Sequence, residues 1–384
     1  MSLLQSPALR SISAPIQSKV LQSGAYVLSI VPLPSHYAVS ASSPDNAIHL
    51  FDKSRLDDVQ TLAGHDSSIT ALKHAPSLAG SSSPVLVSCG KDGVVKAWDA
   101  RSPSAAPIMI ALTAGKPQAL LSCDVSASGT TIAAGTELQG EDASLLYWDP
   151  RNPAAPLRTH SSTHSDDITV VKFSRQSNSV LLSASSDGLL CTSNAEEVDE
   201  DEAALHVGNW GCSIAQAGWI LKQNGSSSVW ASSDMETMSI WSDELDLVQD
   251  IDIRLPSVHR EDSTWVTDYV IGSHNHSNIF READNDLSLF VGSNEGDIAL
   301  LTRSTFSNVD ASWVLSHTWT TGHTEIVRSV LWDEENNVLL TGGEDSKINA
   351  WSAPAFDLSD RNKREIDAMD VDKLDSPARK RPRS

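Results

Sequence analysis

The sequence predicts an all-β fold assembled from seven copies of one unit. Three observations carry that prediction. The stretch "DGVVKAWD" at 92–99 returns six more times, at intervals of 45 to 60 residues. Short apolar runs bounded by Gly, Asp, Asn and Ser turn signals precede the copies, which is the pattern of strands and hairpins. No window sustains the apolar period of roughly 3.6 residues, with caps, that a helix needs, so helices should be scarce.

In chain order the copies are "DNAIHLFD" (45–52), "DGVVKAWD" (92–99), "DASLLYWD" (142–149), "DGLLCTSN" (187–194), "METMSIWS" (235–242), "EGDIALLT" (295–302) and "DSKINAWS" (345–352). The aromatic position is Phe51, Trp98, Trp148, Ser193, Trp241, Leu301 and Trp351. Eleven Trp against four Tyr and six Phe fits one structural position used repeatedly. Before each turn lies an apolar run such as "VLVSCG" or "VLLTGG", and before several of these another, such as "ITALKHA", "ITVVKFS" or "VRSVLWD". Each unit thus holds several short strands.

This layout resembles the WD-repeat β-propeller, whose blades have four strands and about 45 residues. The resemblance spans residues 16–352 and is strongest in copies two, four and seven. It implies a seven-bladed WD-repeat β-propeller whose ring closes when an N-terminal strand completes the last blade. "IQSKVLQS" (16–23) is the expected closing strand, with residues 1–15 a flexible arm before it. Closure removes exposed sheet edges, which otherwise invite aggregation.

Ser, His and Asp recur in these copies, and their recurrence decides their role. Copy two has His65, Ser88, Asp92 and Trp98; copy seven has His323, Thr341, Asp345 and Trp351. Copy four has His164, Ser183 and Asp187, with Ser193 in place of the Trp. A catalytic triad would occur once, and an indole can only donate. These sets are therefore expected to be structural tetrads in which Asp accepts from His, His bonds Ser or Thr, and that hydroxyl accepts from Trp. The chain has no G-x-S-x-G, Walker, H-E-x-x-H or G-x-G-x-x-G motif, so no enzyme activity, metal or cofactor is expected.

Composition bounds the rest. The chain has 384 residues and net charge −22, which speaks against direct nucleic-acid binding, since such proteins show a basic face. Excess negative charge favours basic partners. No apolar run reaches the roughly 18 residues of a membrane helix. The first residues lack a secretory apolar core; being Ser-rich and free of acids before Asp45, they carry a weak transit-peptide signal, outweighed by their use in ring closure. The four Cys (89, 123, 191, 212) form no C-x-x-C pair and read as buried free thiols. His274 and His276 in "SHNHS" lack a third metal ligand nearby and read as a loop, and Asn224 opens a sequon that matters only in a secreted chain. A monomer is expected.

Several features point to partners. "WDAR" (98–101) and "WDPR" (148–151) stand in adjacent copies and resemble the docking motif of propellers that serve cullin-4 ubiquitin ligases as substrate receptors. In that reading Asp99, Arg101, Asp149 and Arg151 meet a ligase adaptor, a role suited to the planar fork of Arg. The stretch "EEVDEDE" places Glu196, Glu197, Asp199, Glu200, Asp201 and Glu202 in an acidic loop (195–203), expected to be disordered and to attract a basic client such as a histone or ribosomal protein. Lys91, Ser186 and Glu344 are expected on one propeller face. The tail 353–384, with seven acids and eight bases, is expected to be disordered. Its cluster Arg379, Lys380, Arg381 and Arg383 reads as a nuclear localisation signal beside the Ser376-Pro377 phosphorylation candidate. From that signal a nuclear location, shared with the cytoplasm, is expected. The seven-repeat domain, "VSASSPDNAIHLFD", "GKPQ" and the acidic-then-basic tail together resemble the WD repeat-containing protein 89 family, which implies a non-enzymatic interaction scaffold.

Overall fold

A computed structural model describes residues 3–115, 117–140, 143–222, 225–255, 257–259, 264–275, 287–303 and 313–354, with 3–8 and 303 described by their backbone. Seven antiparallel sheets form a seven-bladed β-propeller. Their innermost strands (strand a of each blade) are Val27–Pro32, Ile69–Ala75, Leu120–Val125, Val170–Phe173, Ile214–Leu221, Tyr269–Asn275 and Val327–Asp333. Each touches the next, and the seventh touches the first, so the ring is closed. Three further strands (b, c and d) lie outward of each. Among the described residues the single helix is Glu200–Ala203.

Gln17–Val20 pairs antiparallel with Lys347–Ser352 and supplies the outer strand of blade seven. Residues expected as a flexible arm are instead partly strand: Leu3–Ile12 runs parallel to Trp313–Trp319 and gives blade six a fifth strand. Leu9 and Ile12 pack on the cores of blades five to seven, which offsets the cost of ordering the segment. Blade six also follows a separate hairpin, Ser257–His259 with Thr264–Val266, within the long sixth copy.

Aromatic residues fill the space between blades. Trp98, Trp148, Trp241 and Trp351 are buried, as is Phe51. Trp265, Trp313 and Trp319 are buried as well and therefore belong to the core rather than to a contact surface. The turn between strands b and c demands a left-handed residue just after the Asp position. Gly93 (φ 75°) and Gly188 (φ 85°) meet it freely, whereas Asn46, Glu236 and Ser346 hold φ of 51°, 54° and 62°. A Cβ at Gly93 would also stand 2.9 Å from the carbonyl oxygen of Gln118, so that turn packs directly on the next blade.

Candidate functional site

Antiparallel strands alternate in direction. The b–c and d–a connections therefore share one face of the ring (the upper), and the a–b and c–d connections share the other (the lower). The upper face holds the tetrads. In blade two, His65 Nδ1 lies 2.9 Å from Asp92 Oδ1, His65 Nε2 2.8 Å from Ser88 Oγ, and Trp98 Nε1 donates to Ser88 Oγ at 3.0 Å. Blade seven repeats this with His323–Asp345 at 3.0 Å, His323–Thr341 at 2.8 Å and Trp351–Thr341 at 2.9 Å. With the imidazole proton on Nδ1, the hydroxyl donates to Nε2 and accepts from the indole, so every donor meets an acceptor. Each Asp also accepts a backbone N–H, from Asp66 or Thr324, tying the d–a loop to the b–c turn.

Blade four keeps His164–Ser183 at 2.8 Å and His164–Asp187 at 3.3 Å, but Ser193 in the Trp position leaves Ser183 without an indole donor. Other blades satisfy their indoles differently. Trp241 donates to Ser239 Oγ at 2.7 Å, and Trp148 to the Leu112 carbonyl at 3.1 Å, pairings that the copy alignment does not reveal. Burial pushes the Asp92 and Asp345 carboxyls up, yet the bond and charge of the facing His, with backbone N–H groups, hold both below the usual range, Asp345 at about 2. Ser88, Ser183 and Thr341 are fully enclosed, so none of these hydroxyls is presented to a substrate.

Around the tetrads, Lys91 pairs with Glu137 at 2.9 Å, the Ser186 N–H donates to the Asp167 carbonyl, and Glu344 accepts from Arg328 Nε at 2.6 Å. All three stand in b–c turns and so on one face. A hollow on that face is lined by Tyr26, Thr324, Glu325, Glu344, Asp345 and Ser346. His274 does not stand ready for a metal: Nε2 is 2.9 Å from Glu334 Oε1 and the ring lies against Trp332. His276 and Asn224 lie outside the described residues. Among the described residues no three His, Cys, Asp or Glu gather as a metal site. Cys89, Cys123 and Cys191 are buried free thiols, and Cys212 is half-buried.

On the lower face, Arg101 and Arg151 stand in c–d turns of adjacent blades, with side chains 59% and 66% exposed. Each folds back as a fork on its own turn: Arg101 Nε and Nη2 both bond Asp99 at 2.9 Å, and Arg151 Nη2 bonds Asp149 at 2.6 Å. Those bonds hold the Asp99 and Asp149 carboxyls below their ordinary range, Asp149 at about 2. Arg254 makes the same fork with Asp252 outside any Trp-Asp-x-Arg sequence, so the closed pair is a property of the Asp-x-Arg turn.

The acidic segment is ordered, which corrects the expectation of a disordered loop. Glu200 accepts from the N–H groups of Ser161 and Ser162 at 2.9 and 2.8 Å and from Thr163 Oγ1 at 2.6 Å. Asp199 caps the short helix through the Asp201 N–H. Burial pushes the Glu200 carboxyl up, and these donors more than reverse it. Glu196, Asp199, Asp201 and Glu202 remain exposed beside it, and Glu197 is half-buried. Arg379, Lys380, Arg381, Arg383 and Ser376 lie outside the described residues.

The WD40 family (WD domain, G-beta repeat) matches residues 56–99 and 313–352, each the outer strand of one blade (one and six) with the three inner strands of the next (two and seven). The chain is 27% identical over 334 residues to WD repeat-containing protein 89 homolog of Dictyostelium discoideum, covering 85% of this chain and 82% of that protein. It is 28% identical over 341 residues to WD repeat-containing protein GTS1 of Arabidopsis thaliana, covering 85% and 81%. Among solved structures it resembles the computationally designed Ika8 protein, with a TM-score of 0.59 at 16% identity over 89% of this chain and 98% of that one, a likeness of fold alone. Seven closed blades, with WD40 repeats matched at 56–99 and 313–352, make the fold a WD-repeat β-propeller, similar over most of its length to these WD repeat-containing relatives.

Proposed function

We propose that the protein is a non-enzymatic interaction scaffold of the nucleus whose acidic turn on blade four takes a basic client. The propeller supplies a rigid frame for protein partners. The observation that carries the finer reading is Glu200: its three bonds pin the segment, so the carboxylates around it are presented rather than free to wander. A fixed cluster attracts a basic surface at a lower ordering cost than a mobile one. Core histones, titrated onto the full chain at low salt, test it. Glu196→Gln/Asp199→Asn/Asp201→Asn/Glu202→Gln together should weaken binding, and the wild-type affinity should fall as salt rises. Equal binding by the variant removes this reading.

A second reading rests on Arg101 and Arg151, exposed on one face of adjacent blades. It makes the scaffold a substrate receptor docked to a cullin-4 ligase adaptor. Affinity capture from nuclear extract with wild type beside Arg101→Glu/Arg151→Glu separates the two. An adaptor lost only with the variant supports docking; its absence from both leaves the basic client.

A further inference from the structure

The inner strands of blades two to four carry charge where the other blades are neutral. Register shows it. Leu86, Ile132 and Leu181 face the aromatic position of strand c, and two residues on, Ser88, Ala134 and Ser183 face Leu72, Cys123 and Val171 of strand a. The next inner residues are therefore equivalent: Lys73, Asp124 and Lys172, one layer on three consecutive strands. In blade five the same position is Gly218, opposite Trp230. A Cβ there would stand 2.9 Å from Lys172 Nζ, so the glycine leaves room for the ammonium, which lies 5.7 Å from the Trp230 ring centroid.

This layer lies at the lower end of the inner strands, and further basic groups surround it. Arg175, 48% exposed, reaches Asp124 Oδ1 at 3.8 Å. The other oxygen of Asp124 accepts the Phe173 N–H at 2.9 Å. His74 follows Lys73 and so takes the other face of the strand, on the side of Leu72 and blade one, outside this layer. Electrostatics show that these groups share one field. Burial first, then the Lys73 charge and Arg175, hold Lys172 down at about 7 against the pull of Asp124. Burial, then Arg175 and Lys53, lower His74 as well. Lys53 is itself paired with Asp333. Among the described residues, Asp124 is the one carboxylate in ion-pair reach of Lys73, Lys172 or Arg175.

We propose that this axial mouth is a phosphate-binding site formed by Lys73, Lys172 and Arg175. Charge balance selects the ligand. Lys73, Arg175 and Lys172, which titrates near neutrality, face one carboxylate, and a phosphate group carrying up to two negative charges draws the Lys172 proton on and completes the balance. A single carboxylate would leave it positive. Lysines bind phosphate as point charges and Arg as a fork, so the residue types fit. The phosphate is a side-chain phosphate of a partner protein or a small free ester, and both offer the same group.

Heat titration of inorganic phosphate into the full chain, at neutral pH and ionic strength held with chloride, tests the site. Wild type should bind saturably. Lys73→Gln/Lys172→Gln should weaken binding about tenfold or more, while Lys19→Gln, an exposed lysine paired with Asp57, should not. Should the double variant fail to fold, the exposed Arg175→Gln replaces it. Phosphate should also raise the titration midpoint of Lys172, followed by NMR of its ε position. A phosphoserine peptide that binds tighter than inorganic phosphate and than its unphosphorylated form indicates a protein source; pyrophosphate binding tighter than the peptide indicates a small ester. No saturable binding by wild type, or equal binding by wild type and variant, overturns the site.

Discussion

Asp92 anchors two loops at once. Its carboxylate holds His65 and the Asp66 N–H, and it also accepts the Val94 N–H. Removing it as Asp92→Ala strands a buried imidazole N–H, which costs more than the lost bond itself. The expected loss is about 2 kcal/mol or more, read as a lower urea midpoint at unchanged slope. An unchanged midpoint would show that blade two does not depend on the tetrad. Asp345 adds a pH dependence. Its folded value of about 2 lies below the ordinary carboxylate value of about 3.9, so the folded state favours the charged form. The stabilisation, about 2 kcal/mol, is fully present above pH ~4 and is lost as pH falls toward ~2. The difference in thermal midpoint between wild type and Asp345→Ala should therefore be constant near neutrality and shrink across that window. Glu236 makes the opposite case. It holds φ of 54° in a turn where the neighbouring blades use glycine, and its exposed pair with Arg254 at 3.6 Å is worth little. Glu236→Gly should stabilise the protein by about 0.5 kcal/mol, the left-handed strain outweighing the glycine's unfolded-state entropy. A lower thermal midpoint would count against strain at that turn.

The acidic segment, outside the repeat pattern, owes its order to one strong attachment. The acidic turn between strands c and d of blade four carries repelling charges and would fray if unattached. Glu200 supplies the attachment through three donors on the outer strand of blade three. Glu200→Ala should release the turn, seen as faster amide exchange at Ser161 and Ser162, with the global midpoint little changed. Retained protection at both amides would show that another contact holds it. Sequence made the repeat elements readable for a physical reason. The step of four from Ser or Thr to Asp, and of six to Trp, is fixed by one hairpin, so local spacing encodes the contact. The closing strand was likewise visible, as a lone strand with no unit of its own. Leu3–Ile12 was not, because its parallel partner Trp313–Trp319 lies at the other end of the chain and no turn joins them. The acidic turn read as a solvated loop because its anchor, Ser161–Thr163, belongs to a different blade. The basic layer escaped for the same reason. Lys73, Asp124 and Lys172 stand in separate copies about 50 residues apart, and only strand register brings them into one layer.

Closing the ring is a problem of the whole molecule, since seven blades must meet with no gap between the first and the last. The outer strand Gln17–Val20 staples the rim of blade seven. Nearer the axis a second clasp joins the same two ends of the propeller. Tyr37 of blade one donates its hydroxyl to Asp333 Oδ2 of blade seven at 2.9 Å, across 296 residues of sequence. Lys53 bonds the same oxygen at 3.0 Å, and Asn336 donates to it at 2.7 Å. Burial pushes Asp333 up, but these donors hold it below its ordinary range, and burial, with the facing carboxylate, raises the Tyr37 hydroxyl well above its own. The pair is therefore a buried anion that satisfies three donors from both ends of the ring. Asp333→Ala leaves the Tyr37 hydroxyl and the partly buried Lys53 ammonium unpaired, a loss of about 2–4 kcal/mol. Because the lost bonds span the seam, the damage should be localised there. Amide exchange should rise first in Val27–Pro32 and Val327–Asp333, while blades three and four keep wild-type protection. Tyr37→Phe removes one donor and leaves Lys53 and Asn336 on the carboxylate, so it should cost less than Asp333→Ala. Uniform loosening of all seven blades in Asp333→Ala would instead mean that the ring opens cooperatively and that the seam has no weakness of its own.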